Sequence, residues 1–524
     1  MRPARPQPRP LSALGALLGV KLAVVARSSH PDDLGFLTGV TLDSRAVQPG
    51  DLYVALPGAR VHGAAFCGQA VAAGAVAVLT DPDGRDRAAA SGVPALVLAD
   101  PRARLGEVAS WAYGNPSARL RLIGVTGTSG KTTSTYLLES GLRAAGHLTG
   151  LIGGVETRIG AQRLPSSLTT PEAPDLQAAL AVMVERGATA AAIEVSSHSL
   201  ALGRVAGTGF DVAVFTNLSQ DHLDFHGDME QYFRAKASLF SPASGRGGRG
   251  GCPPAGVVNI DDRYGRRLAA TAAVPVTTFS AAGRPEADWQ AADVRTGADG
   301  STFRVVGPGG IQADVSLTLA GAFNVSNALA ALAALVEAGV GLDDAAAGVA
   351  ACAGVPGRLE RVPAPGGLDM AAFVDYAHKP GAVEAVLRSL RPVTRGSLLI
   401  VLGCGGDRDR AKRPMMGAAA ASLADVAILT SDNPRSEDPL AILAAMVDGV
   451  ISVPRDRRAR LIVEPDRTAA IWQAVNLAAP GDVIVVAGKG HETGQYVGDA
   501  VLPFDDKEVT ADALERRAKG EVIL

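Results

Sequence analysis

Short, continuously apolar runs alternate with helix-length segments along most of this chain. In the central part these runs are 122–125, 190–195, 212–215 and 257–260, and in the last third they are 372–374, 398–402, 426–429 and 483–486. Strands that are apolar on both faces are typical of a parallel sheet covered by helices on both sides. The pattern therefore predicts an α/β protein with a central parallel sheet and a second, doubly wound Rossmann-like sheet near the C-terminus.

Clusters of turn-forming residues divide this pattern into three parts. The first part mixes short strand-like runs with turn signals and ends at the cluster Gly114-Asn115-Pro116-Ser117. The alternating rhythm then runs to about residue 354 and begins again after it. Because 524 residues with 47% hydrophobic content suggest about three domains, we predict domains at 1–118, 119–354 and 355–524.

Charge and aromatic content limit the possible partners. The net charge is −3, and aromatic residues make up 4% of the chain. A nucleic-acid-binding surface needs clustered basic residues, commonly with aromatic side chains that stack on bases. We therefore expect small-molecule substrates, no nucleic acid, and a monomer.

Cysteine spacing and the N-terminal residues predict the compartment. No Cys-x-x-Cys motif occurs, which argues against a zinc site or a disulfide scaffold; the cysteines are Cys67, Cys252, Cys352 and Cys404. The apolar stretch 11–26 follows several arginines, as in a signal peptide, but Lys21 interrupts it. Since no uninterrupted apolar segment reaches about 18 residues, we predict a cytoplasmic protein without membrane insertion.

The segment 124–133, Gly-Val-Thr-Gly-Thr-Ser-Gly-Lys-Thr-Thr, joins an apolar run to the helix-like stretch 136–146. Glycines allow consecutive backbone N–H groups to converge on phosphate oxygens, and a helix N-terminus adds positive potential. Lys131 can reach the terminal phosphates of a nucleotide, and the Thr132 hydroxyl can bind Mg²⁺. The predicted ATP contacts in this loop are Gly127, Thr128, Ser129, Gly130, Lys131, Thr132 and Thr133.

Further strings follow the phosphate loop in a fixed order. They are Thr169-Thr170-Pro171-Glu172, Glu194-Val195-Ser196-Ser197-His198, the segment 216–227, Ala235-Lys236, the segment 321–327, Pro356-Gly357-Arg358-Leu359-Glu360 and Val374-Asp375-Tyr376-Ala377-His378. With the short loop form Gly-Thr-x-Gly-Lys-Thr, they closely resemble the Mur ligases of peptidoglycan synthesis over almost the whole chain. The resemblance implies an ATP-dependent, amide-forming ligase of cell-wall biogenesis.

Glu194 and His222 are expected at the ends of apolar strands, where parallel-sheet proteins bind ligands. With Thr132 they could hold Mg²⁺ between the β- and γ-phosphates, and the resemblance assigns them that role. On its own, Asp-His-x-Asp-x-His at 221–226 is also compatible with a hydrolytic metal site. The upstream phosphate loop favours a nucleotide-bound Mg²⁺ instead.

Lys236 has two interpretations. A lysine on a helix is usually solvated, and the residues alone favour that reading. In the family that the chain resembles, the matching lysine carries a carbamate formed with CO₂ and helps to organise a second Mg²⁺. Carbamate formation needs a neutral amine, which burial or nearby positive charge favours. The resemblance therefore implies a carbamate on Lys236, with catalytic roles for Lys131, Lys236 and His222.

The resemblance also implies where the other substrate and the nucleotide bind. The segment 42–55 is similar to the uridine-nucleotide module of the members that add the third amino acid, with Ser44 at UDP. Further contacts of the UDP-linked dipeptide match Thr169, Thr170, Ser196 and Arg204, whereas Leu202 stands where some members have a substrate-binding Gln. The remaining nucleotide contacts match Asn324, Asn327, Arg358 and Asp375, bridging the central and last domains.

Three strings in the last third follow predicted strands: segment 403–408, Asp432-Asn433-Pro434-Arg435, and segment 488–492. The first is not a dinucleotide fingerprint, because Arg408 occupies the third glycine position. The carboxyl ends of parallel strands lie at one sheet edge, so the strings should line one crevice. Arg435 can pair with a carboxylate, while Glu492 and the Gly488 carbonyl can accept an ammonium. Such a crevice suits a zwitterion.

Members of the family with Asp-Asn-Pro-Arg add meso-2,6-diaminopimelate, and lysine-adding members usually lack the arginine. The implied contacts are Arg408, Asp432, Asn433, Pro434, Arg435, Gly488 and Glu492. A plain Asx-Pro turn is the alternative for 432–435. The implied reaction joins diaminopimelate to the D-glutamyl γ-carboxylate of a UDP-muramoyl dipeptide through an acyl phosphate. Alternatives are the same ligase with L-lysine, L-ornithine or LL-diaminopimelate, a folylpolyglutamate-synthase-like ligase, and a non-catalytic nucleotide-binding regulator.

Overall fold

A computed structural model describes residues 1–20, 35–166, 168–242 and 255–521. The described residues form two compact units. The first comprises Met1–Gln290, Gly307–Gly310 and Leu329–Gly348, and the second comprises Ala291–Val306, Ile311–Ala328 and Val349–Leu524. Each unit has its own parallel sheet, as the apolar runs predict.

The N-terminal part of the first unit contains a four-stranded parallel sheet in the order β3-β4-β5-β6. Its elements are β1 (Arg9–Pro10), α1 (Leu11–Leu18), β2 (Phe36–Leu37), β3 (Gly39–Thr41), β4 (Asp51–Ala55), α2 (Cys67–Ala72), β5 (Ala77–Thr80), α3 (Arg85–Ala89), β6 (Ala95–Val97) and α4 (Pro101–Ala112). Leu52 and Val54 pack into one core and Tyr53 and Ala55 into another. The sheet is therefore covered on both faces.

The central sheet of the first unit follows the order β10-β9-β8-β11-β7-β12-β13-β14. Its elements are β7 (Arg121–Thr126), α5 (Lys131–Ala144), β8 (Thr149–Ile152), β9 (Glu156–Ile159), β10 (Gln162–Pro165), α6 (Ala173–Glu185), β11 (Ala190–Glu194), α7 (Ser197–Ala201), β12 (Val212–Phe215), α8 (Leu223–His226), α9 (Met229–Ala237), β13 (Ala255–Asn259), α10 (Arg263–Thr271) and β14 (Val276–Ser280). Strands β8, β11, β7, β12, β13 and β14 are parallel, and β9 and β10 form an antiparallel edge hairpin. Strand β7 thus lies between β11 and β12, and the loops after these three strands lie at one edge.

The next elements are β15 (Trp289–Gly297), β16 (Gly300–Val306), β17 (Gln312–Leu317), α11 (Ala322–Glu337) and α12 (Leu342–Ala350). Strands β16 and β17 pair antiparallel.

The large sheet of the second unit follows the order β18-β19-β23-β20-β21-β22 and is parallel except for β18. The elements of this part of the chain are β18 (Glu360–Val362), β19 (Ala371–Asp375), α13 (Pro380–Leu390), β20 (Leu398–Leu402), α14 (Lys412–Leu423), β21 (Val426–Leu429), α15 (Pro439–Ser452), β22 (Arg460–Val463), α16 (Arg467–Leu477), β23 (Val483–Ala487), β24 (Gly494–Val497), β25 (Ala500–Pro503) and α17 (Asp506–Ala518). Strands β24 and β25 form a separate two-stranded sheet. Phe373 and Ile400 face one core, and Val374 and Val401 face the other. The doubly wound expectation is confirmed.

Cys67, Cys352 and Cys404 are buried and form no disulfide among the described residues, and Cys252 lies outside those residues. Within those residues, every helix is too short or too polar to cross a lipid bilayer.

A fully buried ion pair joins α16 to α17. Arg467 donates from Nε and Nη2 to the two carboxylate oxygens of Asp506, both at 2.7 Å, and neither side chain is exposed. The same guanidinium donates to the carbonyl oxygens of Ser431 and Ala487. Since these carbonyls begin the loops after β21 and β23, the ion pair fixes the base of both loops.

Replacement of Arg467 by Met should leave Asp506 buried without its partner, and we expect a loss of about 3–5 kcal/mol in the free energy of unfolding of this unit. Urea-dependent hydrogen exchange of the β23 amides measures that loss. The matched control is Arg516→Met, which removes an exposed ion pair with Asp512 and should change stability by less than about 1 kcal/mol. Equal effects of the two substitutions would contradict the structural role of Arg467.

Candidate active site

The phosphate loop lies between β7 and α5, as predicted, but the helix begins at Lys131 rather than near Tyr136. Two glycines allow this early start. Gly130 precedes the helix with φ +88°, and Gly127 has φ +148°. A Cβ at Gly127 would also collide with the Thr216 hydroxyl. The loop backbone is therefore placed directly at a helix N-terminus, the arrangement that binds phosphate.

The segment after β12 holds this loop in place. The Ser129 N–H donates to Asn217 Oδ1 (3.0 Å), and the Thr216 hydroxyl donates to the Ser129 carbonyl (2.7 Å). The Thr128 N–H donates to the Asn217 carbonyl (2.9 Å). Thr216 and Asn217 are functional residues that the sequence analysis did not single out. Their signal was available, since both directly follow an apolar strand.

Thr132 and Glu194 are adjacent. The Thr132 hydroxyl donates to Glu194 Oε2 (3.1 Å), and the Gly154 N–H donates to Oε1 (3.0 Å). Glu194 is the last residue of β11 and is buried, as its predicted place at a strand end requires. A hydroxyl and a carboxylate beside a phosphate loop fit Mg²⁺, because this ion takes few protein oxygens and completes its shell with phosphate and water.

His222 is not at the end of a strand. Strand β12 ends at Phe215, and His222 follows in a loop with φ +52°, directly before α8. Its Nε2 lies 3.2 Å from Asp221 Oδ2. Among the residues that the structure describes, no group of three or more His, Cys, Asp or Glu side chains could hold a metal by itself.

Lys236 is buried, not solvated. It lies on α9 with 1% exposure, and its Nζ donates to the Gly127 carbonyl (2.7 Å). The ammonium also lies 4.8 Å from the centre of the Tyr232 ring. Lys131 donates from its Nζ to the same Gly127 carbonyl (2.9 Å) and to the Thr128 carbonyl (3.0 Å). Both lysines are thus directed at the phosphate loop.

Three histidines lie beside this lysine. The ring of His198 lies 4.7 Å from that of His222 and 5.6 Å from that of His226. Burial lowers the pKa of His198, and burial together with the positive charge of His198 lowers that of His226. Burial also raises the pKa of Tyr232. These environments favour the neutral forms of His198 and His226.

The predicted dipeptide contacts come together beside Glu194. The Thr170 hydroxyl donates to the Glu194 carbonyl (2.8 Å) and accepts from the Ser196 N–H (3.1 Å). The Arg204 guanidinium lies 3.4 Å from the Thr170 carbonyl. A Cβ at Gly154, whose N–H binds Glu194, would lie 3.2 Å from the Thr169 hydroxyl.

Two residues near these contacts have structural roles. Ser196 accepts from the Ser199 N–H and so caps α7, and Leu202 ends that helix by donating its N–H to the His198 carbonyl. In the loop between β3 and β4, the buried Ser44 donates to Gln69 Oε1 (3.2 Å).

The remaining predicted nucleotide contacts lie in the second unit. Asn327 donates to Asn324 Oδ1 (3.0 Å). Asp375 ends β19 and accepts from the N–H groups of Leu359 (2.6 Å) and Ala377 (2.8 Å), and burial raises its pKa. The Arg358 guanidinium lies 4.5 Å from the centre of the Tyr376 ring, which leaves a flat cationic face beside an aromatic ring.

The loops after β20, β21 and β23 lie at one edge of the second sheet, as predicted. Arg435 has φ +52° and donates from Nη1 to the Gly406 carbonyl (2.7 Å). A Cβ at Gly405 would lie 2.9 Å from that Nη1 and 3.8 Å from Arg408 Cγ. The side chains of both arginines therefore lie close to Gly405. Arg408 is exposed, and its Nη1 donates to the Asp407 carbonyl (3.2 Å).

The acidic side of this crevice is largely enclosed. Asp432 and Asn433 are buried, and Asn433 Nδ2 donates to Glu492 Oε2 (2.9 Å). Gly488 adopts φ +118°, and a Cβ there would lie 3.5 Å from Asp432 Oδ2. The Pro434 carbonyl lies so close to Gly406 that a side chain there would collide with it. Lys489, with 0% exposure, completes the group and was not among the predicted contacts.

Three family models match the chain. The Mur ligase middle domain matches residues 125–335, the Mur ligase glutamate ligase domain matches 357–490, and the Mur ligase family catalytic domain matches 37–113.

Curated proteins and a solved structure match over nearly the full length. UDP-N-acetylmuramoyl-L-alanyl-D-glutamate–2,6-diaminopimelate ligase from Streptomyces coelicolor is 58% identical over 98% of both chains. The enzyme of the same name from Corynebacterium glutamicum is 47% identical over 93% of this chain and 94% of its own. A solved structure of a ligase with this name covers 96% of this chain and 99% of its own, with 33% identity and a TM-score of 0.68.

Proposed function

The chain belongs to the Mur ligase family, and from this premise we propose that it joins 2,6-diaminopimelate to UDP-N-acetylmuramoyl-L-alanyl-D-glutamate with consumption of ATP. The full-length relatives that carry this name support the choice of substrates. The product is a precursor of peptidoglycan. The three-domain α/β fold is that of the family, and the boundaries at 118/119 and 354/355 remain predictions.

One observation carries the choice of amino acid: the crevice of the second unit combines Arg435 and Arg408 with the carboxylates of Asp432 and Glu492. Guanidinium groups bind carboxylates through two hydrogen bonds, and carboxylates accept from ammonium groups. The side chain of diaminopimelate ends in just such an ammonium and carboxylate. Lysine has the ammonium alone and would offer the two arginines no carboxylate.

The reaction has two steps. The D-glutamyl γ-carboxylate attacks the γ-phosphorus of ATP, the bond from that phosphorus to its bridging oxygen breaks, and ADP leaves. The diaminopimelate amine then attacks the acyl carbon, inorganic phosphate leaves, and the nitrogen gives up a proton to yield the amide. Lys131 exchanges its loop carbonyls for phosphate oxygens and stabilises the charge that moves to the leaving oxygen.

The proposed protein ligands of Mg²⁺ are Thr132, Glu194 and His222. When bound, this ion would neutralise part of the negative charge of the phosphates. Glu194 is positioned for this role by the Gly154 N–H, and Thr132 by the start of α5. The proposed catalytic residues are Lys131, Lys236 and His222.

A carbamate on Lys236 is the second part of the proposal. The burial of this amine beside Lys131 supports it, because burial and a neighbouring positive charge both disfavour a second ammonium. The carbamate carbon comes from CO₂, the amine loses one proton, and the product is an anion. That anion can bind a cation beside the phosphates.

The other contacts are proposed from the family motifs. We propose that the UDP-dipeptide binds Ser44, Thr169, Thr170, Ser196 and Arg204. The hydrogen bonds that link Thr170 to Glu194, Ser196 and Arg204 support this proposal. The proposed contacts of ATP are the loop 127–133, Asn324, Asn327, Arg358 and Asp375. We infer a cytoplasmic monomer with small-molecule substrates only.

The deciding experiment measures ADP formation with the UDP-dipeptide and each of meso-diaminopimelate, LL-diaminopimelate, L-lysine and L-ornithine. We expect turnover that requires both the UDP-dipeptide and diaminopimelate. A nucleotide-binding regulator would bind ATP without this double requirement. Preference for lysine or ornithine would overturn the proposed substrate, and the two diaminopimelate arms determine its stereochemistry.

Lys131→Ala should fold normally and lose ligation by roughly 10²–10³-fold or more, because the transferring phosphoryl group loses a cation. ADP release at saturating substrates measures the loss, with circular dichroism as the check on folding. Lys519→Ala, at an exposed site of the last helical turn, is the control and should keep full activity. Near-normal turnover of folded Lys131→Ala would refute the role of the loop.

Lys236→Arg keeps a positive charge but cannot form a carbamate, so we expect strong loss of ligation. Mass spectrometry of the native enzyme under CO₂ should detect the added carbamate on the peptide that contains Lys236. An unmodified amine in the fully active enzyme would exclude this part of the proposal while leaving the ligase assignment intact.

Arg435→Ala should lower kcat/KM for diaminopimelate far more than that for lysine, because only diaminopimelate offers the distal carboxylate. An unpaired, desolvated guanidinium costs several kcal/mol, which corresponds to orders of magnitude in selectivity. Steady-state kinetics with both amino acids measures the ratio. Arg457→Ala, at an 81% exposed side chain, is the control. A selectivity ratio that Arg435→Ala leaves unchanged would show that Arg435 does not bind this carboxylate.

A further inference from the structure

An ammonium group is enclosed between the two carboxylates of the crevice. Lys489 Nζ lies 3.7 Å from Asp432 Oδ1 and 3.6 Å from Glu492 Oε2, and its side chain has 0% exposure. It donates to Asn433 Oδ1 (3.0 Å) and to the Gly494 carbonyl (2.6 Å). Lysine is rarely buried completely unless a partner compensates its charge, so this arrangement requires an explanation.

We propose that Lys489 is a positioning residue that, through Asn433, holds Glu492 as the acceptor for the distal ammonium of diaminopimelate. This inference rests on the proposed function and adds to it a residue that does not contact the substrate.

Two donors fix the orientation of the Asn433 amide. Asn433 Oδ1 accepts from the Lys489 ammonium and from the Tyr496 N–H (3.1 Å). Both groups are pure donors, so this side of the amide must be the oxygen. The NH₂ side then faces Glu492 and donates to Oε2. Without the ammonium, Asn433 Oδ1 keeps only the Tyr496 N–H as a donor, so the amide that donates to Glu492 is held less firmly.

The Lys489 ammonium also compensates the negative charges of two nearby carboxylates. Asp432 and Glu492 both lie near the Lys489 ammonium, and the two carboxylates would repel each other without this cation. Asp432 Oδ1 is buried without a hydrogen-bond partner among the described residues, and its nearest recorded cation is Lys489. Lys489 therefore keeps two anions side by side before a ligand arrives. The ligand ammonium then needs to neutralise only the remaining negative charge.

The backbone around Lys489 forms a tight turn. Gly488 has φ +118° and Gly490 has φ +55°, so the lysine lies between two residues in conformations that favour glycine. A Cβ at Gly490 would lie 2.7 Å from Tyr376 Cβ. This tight turn directs the lysine side chain into the interior of the unit.

The test is a double-mutant cycle in the full-length enzyme with Lys489→Met and Glu492→Gln. Lys489→Met alone should raise KM for diaminopimelate at least tenfold, with KM for ATP and for the UDP-dipeptide changed by less than threefold. If Lys489 acts through Glu492, then Lys489→Met in the Glu492→Gln background should raise KM less than threefold further. Equal fold-changes in the two backgrounds, or equal increases of all three KM values, would overturn the proposal.

Asn433→Asp provides an isosteric second variant in case Lys489→Met does not fold. It keeps an oxygen toward Lys489 but removes the N–H donor to Glu492, so KM for diaminopimelate should again rise at least tenfold. An unchanged KM would overturn the relay. Lys519→Met is the control and should leave all constants unchanged.

Different results would refute the proposed function and the role of Lys489. Absence of diaminopimelate-dependent ADP formation in the wild-type enzyme would refute the proposed function. Normal wild-type ligation with an unaltered KM for diaminopimelate in folded Lys489→Met would refute only the role of Lys489.

Discussion

Two ammonium groups converge on a single carbonyl oxygen, that of Gly127, and the first unit is built around this contact. Lys131 reaches it from the start of α5 and Lys236 from α9. Two cations bonded to one oxygen are a few ångströms apart, where like charges repel by about 4 kcal/mol at an effective dielectric constant of 20. The arrangement is therefore complete only when anions arrive. Nucleotide phosphates supply them, and the proposed carbamate turns one of the two cations into an anion.

The contact also explains why Gly127 must be glycine. The carbonyl faces both lysines only because the residue adopts φ +148°, and a side chain would collide with Thr216. Thr216 and Asn217 in turn bind the next residues of the loop. The residues that follow β12 thus hold the loop in place, which lowers the entropy lost when phosphate orders it.

Sequence patterns predicted the strands and the three loops of the second unit because burial on both faces leaves a continuous apolar run. The runs that became β7, β20 and β21 are of this kind. Patterns could not predict that Lys489 is buried, because its compensation by Asp432, Asn433 and Glu492 comes from residues that only the fold brings together. Likewise Arg467 and Asp506 are 39 positions apart, and neither belongs to a recognisable motif. His222 was misplaced because β12 ends with its apolar run at Phe215, and a loop separates that strand end from His222.

The two units use one electrostatic principle with opposite signs. In the first, lysines surround a place for phosphate, and the repulsion between them is relieved by an anionic substrate. In the second, Lys489 already compensates part of the charge of Asp432 and Glu492, so that the crevice keeps one net negative group for an ammonium and two arginines for a carboxylate. A phosphate site gains from accumulated charge because its ligand is strongly anionic. A site for a zwitterion must balance its own charges, since any excess would favour a ligand with only one of the two groups.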